Sequence, residues 1–480
     1  MEKIESRNIF YAFLFIFLFG LTFLNFFVVD TFQQASVVYS LVVIASVVCV
    51  FCYEKKIINP FNLILLCFVL FQFGLPFLVA FVPNYYNWYL TQFSERILIQ
   101  STYYSALCIN GFILGAWFAF LRKKGKESKK PLYFIKDSKS NYIHSIGLFL
   151  LVVSGIVALP LAFYVAYLAS IYGYSYIKVD SMGIYNGVTN FAQEMFPNSL
   201  LLTYVFARNK QEKRFLFFLS ILYSIVLVFT GARTVPLALI LTFVLMVNQR
   251  RGKNKRQRLL KNTLLFISFI LIIFLGVFVA QYRHSGSSEI QINKVIENAV
   301  SELGFNFTSI CFTQTYIPSN QTYFYGSSYL ISFLSIIPKS LDFTGLITSA
   351  QLTLPEYWLA NTLHASYGSL YDFGVGFSVI AESFYNFGYF GFVIVGIQGY
   401  VISKLMRTNG RLNTGKFNTY VCYVLMFSLI TYPRRSFNTL FKSIEYGILL
   451  IMLILWILYP LINNLVKVNK NEYKIYKEHK

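Results

Sequence analysis

The feature that most constrains this chain is a series of uninterrupted apolar runs long enough to cross a lipid bilayer. A hydrocarbon core of about 30 Å has no water to bond backbone amides, so only helices or closed barrels cross it, and a helix needs about 20 residues to do so. Twelve such runs are read at residues 9–29, 36–53, 61–82, 97–121, 143–169, 196–207, 215–230, 235–247, 263–282, 377–403, 417–431 and 444–466, several of them short for a full crossing. A spanning barrel would show strands of about ten residues with alternating polarity, whereas these runs are continuous and unpatterned. With 56% hydrophobic and 19% aromatic residues and a mean hydropathy of +0.57, a soluble globule is excluded. The expected fold class is an all-α polytopic membrane protein with about 12 transmembrane helices.

A formal net charge of +21 would suggest a nucleic-acid partner in a soluble protein, but the placement of the charges argues otherwise. With the amino terminus inside, 32 of the 41 Lys+Arg fall on cytoplasmic segments and 9 outside, against 8 of the 20 acidic residues inside. This is the positive-inside pattern, which predicts two cytoplasmic termini and no nucleic-acid partner. The basic linkers 122–141 and 249–261 are topological anchors beside anionic headgroups. The first run is too long for a signal-peptide core and is read as retained. Of six cysteines only Cys311 falls in an outer segment, so no disulfide is expected there. The first four runs have few polar interruptions and are assigned mainly scaffold and lipid-binding roles.

The charge partition divides the chain into a first transmembrane part, 1–282, an extracytoplasmic loop, 283–376, between the ninth and tenth runs, and a carboxy-terminal part, 377–480. Four of the nine outer cations, Arg233, Arg283, Arg434 and Arg435, lie at the outer ends of three different helical connections. All four are arginine, whose planar guanidinium binds phosphate oxygens bidentately and stays charged at ordinary pH. Brought together, they would form a pyrophosphate site; kept apart, they would snorkel to ordinary lipid phosphates. At one of these tips, Gly231-Ala232-Arg233-Thr234, glycine permits close backbone approach, Thr234 can cap the next helix and Pro236 suits its first turn.

Glu382 sits about one to two turns into the run after the loop, with Asn386 one helical turn further on the same face and Tyr385 beside it. A carboxylate there either pairs with an outer arginine or accepts a proton from a sugar hydroxyl. His364, in the outer loop, is the other candidate base. The loop aromatics, Tyr329 among them, suit stacking on pyranose faces and equally suit a small core for a folded loop. No zinc spacing, nucleotide-binding glycine loop or paired-Asp motif occurs, so neither metal nor other cofactor is expected, and arginines would neutralise a leaving group in place of a metal.

Three stretches carry a family resemblance: Phe229-Thr230-Gly231-Ala232-Arg233-Thr234; Gly326-Ser327-Ser328-Tyr329 followed by Ile336-Ile337-Pro338-Lys339; and the segment from Phe377 through Glu382, Tyr385 and Asn386 to Gly391. With the plan of many spans and a large outer loop in the second half, the chain resembles the Wzy-type O-antigen or repeat-unit polysaccharide polymerases of bacteria, and a GT-C-like polymerase/ligase architecture. The resemblance implies a glycosyltransferase of the bacterial plasma membrane with an extracytoplasmic active site. There a growing glycan leaves undecaprenyl pyrophosphate for the terminal hydroxyl of a lipid-linked repeat unit. Membrane lipids, a chain-length regulator and a flippase are the implied partners. Catalysis would fall to Glu382 or His364, and substrate binding to Arg233, Arg283, Arg434, Arg435, Lys339, Tyr385, Asn386 and Tyr329. Family members carry an outer-loop arginine near the position of Pro338, where this chain has Lys339. An O-antigen ligase would share this site. A lipid-linked oligosaccharide flippase would instead show repeated halves and polar residues at mid-membrane depth.

Overall fold

In lipid each apolar run must satisfy its own backbone, and the runs that lie within the described residues accordingly fold as helices. The computed structural model describes residues 2–54, 59–121, 140–180, 187–232, 234–249, 294–334, 345–368, 376–408 and 416–458, and among these it contains no strand. The first half comprises α1 (Glu2–Asn25), α2 (Phe32–Glu54), α3 (Pro60–Phe81), α4 (Glu95–Leu121), α5 (Ser140–Asp180), α6 (Gly187–Phe206), α7 (Lys210–Phe229) and α8 (Thr234–Gln249). Five shorter helices follow: α9 (Val295–Gly304), α10 (Phe307–Tyr316), α11 (Ser327–Leu334), α12 (Leu346–Gln351) and α13 (Pro355–Tyr367). The last group is α14 (Val379–Phe387), α15 (Gly391–Thr408), α16 (Lys416–Thr431) and α17 (Phe437–Ile444), the last continuing through a π-helical segment, Glu445–Leu449, to Leu458.

Among the described residues seven helices are long and apolar enough to cross a membrane: Asn8–Asn25, Phe32–Glu54, Pro60–Phe81, Glu95–Leu121, Ser140–Tyr172, Val379–Met406 and Phe437–Leu458. The run at 263–282 lies outside the described residues. Large apolar side chains such as Phe10, Phe13, Phe149, Ile156 and Trp456 are exposed along these helices. Only lipid covers that much apolar surface without aggregation.

Local chemistry sets the helix ends. Asn59 accepts the Asn62 amide at the start of α3, with Pro60 in the first turn. Asn209 caps α7 through the Glu212 amide (2.7 Å), while the Glu212 carboxylate reaches back to the Arg208 amide (2.8 Å) and also receives His144 Nε2 from α5. The far end of α7 closes on Gly231 (φ +90), with Gly231 N bonded to Val228 O and Ala232 N to Leu227 O. The run 377–403 does not form one regular helix. It breaks at the turn Gly388–Phe390 between α14 and α15, where Gly388 has φ +57 and a Cβ would lie 2.8 Å from the Tyr323 ring.

Small residues decide how the helices meet. The most extensive pair is α4 with α15. A Cβ on Gly115 would sit 1.8 Å from Gly396 O, and one on Gly399 would sit 2.1 Å from Phe112 O, so the two backbones touch. This close approach through small residues is the usual basis of helix association where lipid and side chain are equally apolar.

Helices α10 and α13, from the segment expected as an outer loop, share the core of the bundle. Phe307, Ile310, Cys311, Phe312, Leu359 and Leu363 are buried in the same cluster as α3 and α4. Helix α9 meets α3 through another glycine pair, a Cβ on Gly74 lying 2.8 Å from Gly304 Cα. The loop carrying Tyr85 and Tyr89 partly turns inward: Tyr85 bonds Ser301 (2.9 Å) and Tyr89 packs on Phe305.

Candidate functional site

Helix α14 starts where Ser378 accepts the Ala381 amide (3.0 Å), and Ser309 of α10 donates to the same Ser378 hydroxyl (3.0 Å). This cap places Glu382 in the first turn, fully buried. One carboxylate oxygen accepts the Ser328 hydroxyl at 2.8 Å, and the other accepts the Phe437 backbone N–H at 2.6 Å. One turn later, buried Asn386 donates through Nδ2 to Ser328 Oγ and to Glu382 O, both at 2.8 Å, and accepts the Gly326 amide at 3.0 Å.

The Gly326-Ser327-Ser328-Tyr329 stretch and the Glu382 to Asn386 stretch are therefore two sides of one hydrogen-bonded network. The chain enters it through Tyr325 (φ +48) and Gly326 (φ +88), whose amides face α14. A Cβ at Gly326 would lie 3.0 Å from the Phe387 ring, and that contact together with the positive φ calls for glycine. Tyr385 is buried in packing: its hydroxyl donates to Thr353 O (2.8 Å), its ring stacks on Phe324 (centroids 4.0 Å apart), and Trp358 of α13 lies against it.

The third part of the site is the turn between α16 and α17. Tyr432–Arg434 form a single 3-10 turn closed by Arg435 N to Tyr432 O at 2.9 Å, and α17 begins at Phe437. The Pro433 carbonyl accepts from Gln72 Nε2 of α3 and from Asn306 Nδ2 (3.4 Å). Arg434 and Arg435 are thus half-buried on a turn whose backbone is held before them at Pro433 and after them at Phe437. The Arg435 guanidinium has no hydrogen-bond or ion-pair partner among the described residues.

Two phenols, Tyr329 and Tyr432, face this network. Tyr329 packs edge-on to Phe437, and its buried hydroxyl has no hydrogen-bond partner among the described residues. Burial, and then the neighbouring Glu382 carboxylate, push both phenols well above their ordinary value, so each stays a protonated donor at neutral pH. Glu356, in the first turn of α13, accepts from Thr439 of α17 (3.3 Å). His364 is exposed in the last turn of the same helix.

Of the residues selected from sequence, Glu382, Asn386, Tyr385, Tyr329, Arg434 and Arg435 converge on the junction of α11, α14 and α17. His364 lies in the last turn of α13 and is exposed. Arg233, Arg283 and Lys339 lie outside the described residues. The described residues contain no group of three or more His, Cys, Asp or Glu arranged to hold a metal ion. Gln72, Asn306 and Glu356 were not selected from sequence. Gln72 carried a usable signal, an amide in the middle of an apolar spanning run, whereas Asn306 and Glu356 have only their tertiary contacts to mark them.

Chemically, two guanidiniums on a held turn with protonated phenols behind them form a donor-rich setting for phosphate oxygens. No curated protein and no solved structure matches the chain. The family model described as O-antigen polysaccharide polymerase Wzy matches residues 8–465, nearly the whole sequence, and the chain belongs to that family.

Proposed function

We propose that the protein is a repeat-unit polymerase that transfers a growing glycan from undecaprenyl pyrophosphate to the terminal hydroxyl of a lipid-linked repeat unit, at the outer face of the bacterial plasma membrane. Family membership supports glycan polymerisation by a multi-pass membrane protein. The observation that carries the site assignment is the Arg434–Arg435 turn, held by buried side chains of three other parts of the chain. In this reading twelve crossings place both termini in the cytoplasm, and Arg233 and Arg283 join Arg434 and Arg435 on the pyrophosphate, with Lys339 beside them.

The acceptor hydroxyl attacks the anomeric carbon of the donor. The bond from that carbon to the pyrophosphate oxygen breaks, and the leaving group carries its electron pair onto oxygens held by the guanidiniums. The hydroxyl proton goes to a base, and exposed His364 is better placed to reach an acceptor than Glu382, whose oxygens are both bonded inside the protein. Glu382 then acts by holding the turn. The test is complementation of a deletion strain. Wild type restores a glycan ladder, and Arg434→Ala/Arg435→Ala protein, present in the membrane at normal level, gives only single-repeat glycan. Normal chain lengths from that variant would remove the assignment. A deletion strain that still polymerises but fails to hand its glycan on, or that exports none, would point to a ligase or a flippase.

A further inference from the structure

Helix α3 lies far from the arginine turn in sequence, yet it contributes the buried amide that meets the turn's backbone. Gln72 and Asn306 are both fully buried, and Gln72 Nε2 and Asn306 Nδ2 converge on one acceptor, the Pro433 carbonyl immediately before Arg434. Asn306 also reaches Phe377 O (3.5 Å), which leads into the Ser378 cap of α14 and so to Glu382. The convergence depends on the glycine contact between α3 and α9. Gly74 stands two residues after Gln72, Gly304 stands two before Asn306, and a Cβ on either glycine would come within 3 Å of the other's backbone. Side chains larger than hydrogen there would push the two amides apart.

We propose that Gln72 and Asn306 are positioning residues for the Arg434–Arg435 turn, so that α3 belongs to the pyrophosphate-binding apparatus and is more than scaffold. The inference rests on the reading that these arginines hold pyrophosphate. A carbonyl gripped by two buried donors fixes the peptide that precedes Arg434, as the Glu382 bond to Phe437 fixes the peptide that follows Ser436. The long arginine side chains then leave a backbone that does not move. Removing the grip lets the turn shift without touching either guanidinium.

Binding of undecaprenyl pyrophosphate to the purified full-length chain in lipid nanodiscs tests this. The variants are Gln72→Met, which keeps side-chain volume and removes the donor, Asn306→Ser, the pair Arg434→Ala/Arg435→Ala, and the pair combined with each amide variant. Gln72→Met is expected to weaken binding about tenfold in the otherwise wild-type chain and less than about twofold in the arginine-deficient one, because positioning matters only while there is something to position. Wild-type binding by Gln72→Met, or equal weakening in both backgrounds, overturns the proposal. Wild-type binding by the arginine pair itself overturns the underlying reading of the site and is a separate result. If Gln72→Met does not accumulate as folded protein, Asn306→Ser makes the same two-background comparison with the same decisive outcomes.

Discussion

Replacing Glu382 by Gln separates a carboxylate that holds the site from one that does chemistry. In the native network Glu382 accepts two hydrogen bonds, from Ser328 and from the Phe437 amide, and donates none. A glutamine can still accept from Phe437 if its NH2 turns toward Ser328 Oγ, whose lone pairs already serve Asn386. The loss is then at most the difference between charge-assisted and neutral hydrogen bonds, about 1–2 kcal/mol, or about 5- to 30-fold in an equilibrium. Glu382→Ala is harsher. It orphans the Phe437 N–H and the Ser328 hydroxyl in a buried site, at about 1–3 kcal/mol each, and it leaves a cavity. Thermal unfolding in detergent and polymerisation rate are the paired readouts. Glu382→Gln is expected to melt a few degrees lower and keep at least about a thirtieth of the wild-type rate, while Glu382→Ala loses both stability and product. A Glu382→Gln protein of wild-type stability whose rate has fallen by more than about a hundredfold would refute the reasoning, because general-base catalysis, and not support of the turn, fails in that way.

Arg233→Ala and Arg283→Ala are each expected to reach the membrane at normal level and yield single-repeat glycan, read from the glycan ladder as for the Arg434–Arg435 pair. Gly115→Leu forces a side chain into the Gly396 carbonyl of α15, where a Cβ alone would lie 1.8 Å away; overpacking costs about 1–3 kcal/mol or more, so folded yield should collapse, as scored by detergent-stable monodisperse protein. Gly20, which has open space around it, serves as the control, and Gly20→Leu should be neutral. Where α5 meets α7, partial burial alone would raise the Glu212 carboxyl, but the His144 hydrogen bond and the Arg208 amide outweigh it and hold the group below its ordinary value. A depressed carboxyl contributes stability that is present above its unfolded value and lost as pH falls through the folded one. Melting temperature should therefore fall on acidification through the carboxylate range, and less steeply in Glu212→Gln, with equal slopes in both proteins counting against the link.

What was determined by the order of residues is what depends on local composition. Apolar runs must become helices in lipid, Lys and Arg set the sidedness expected of them, and Asn59, Asn209, Gly231 and Ser378 mark helix ends from their own chemistry. Glu382, Asn386, Tyr329 and the Arg434–Arg435 pair were also visible as polar exceptions near apolar runs, because such groups are costly near the hydrocarbon region without a partner. Their partners were not visible. That Glu382 would bond the Phe437 amide, that Ser328 would stand between Glu382 and Asn386, and that Gln72 would reach Pro433 across 361 positions are decided only when helices dock. Docking in turn hangs on glycines such as Gly74 with Gly304 and Gly115 with Gly396, whose role is the absence of a side chain. An absent side chain has no pattern of its own to read, and its meaning appears only when a second backbone fills the space.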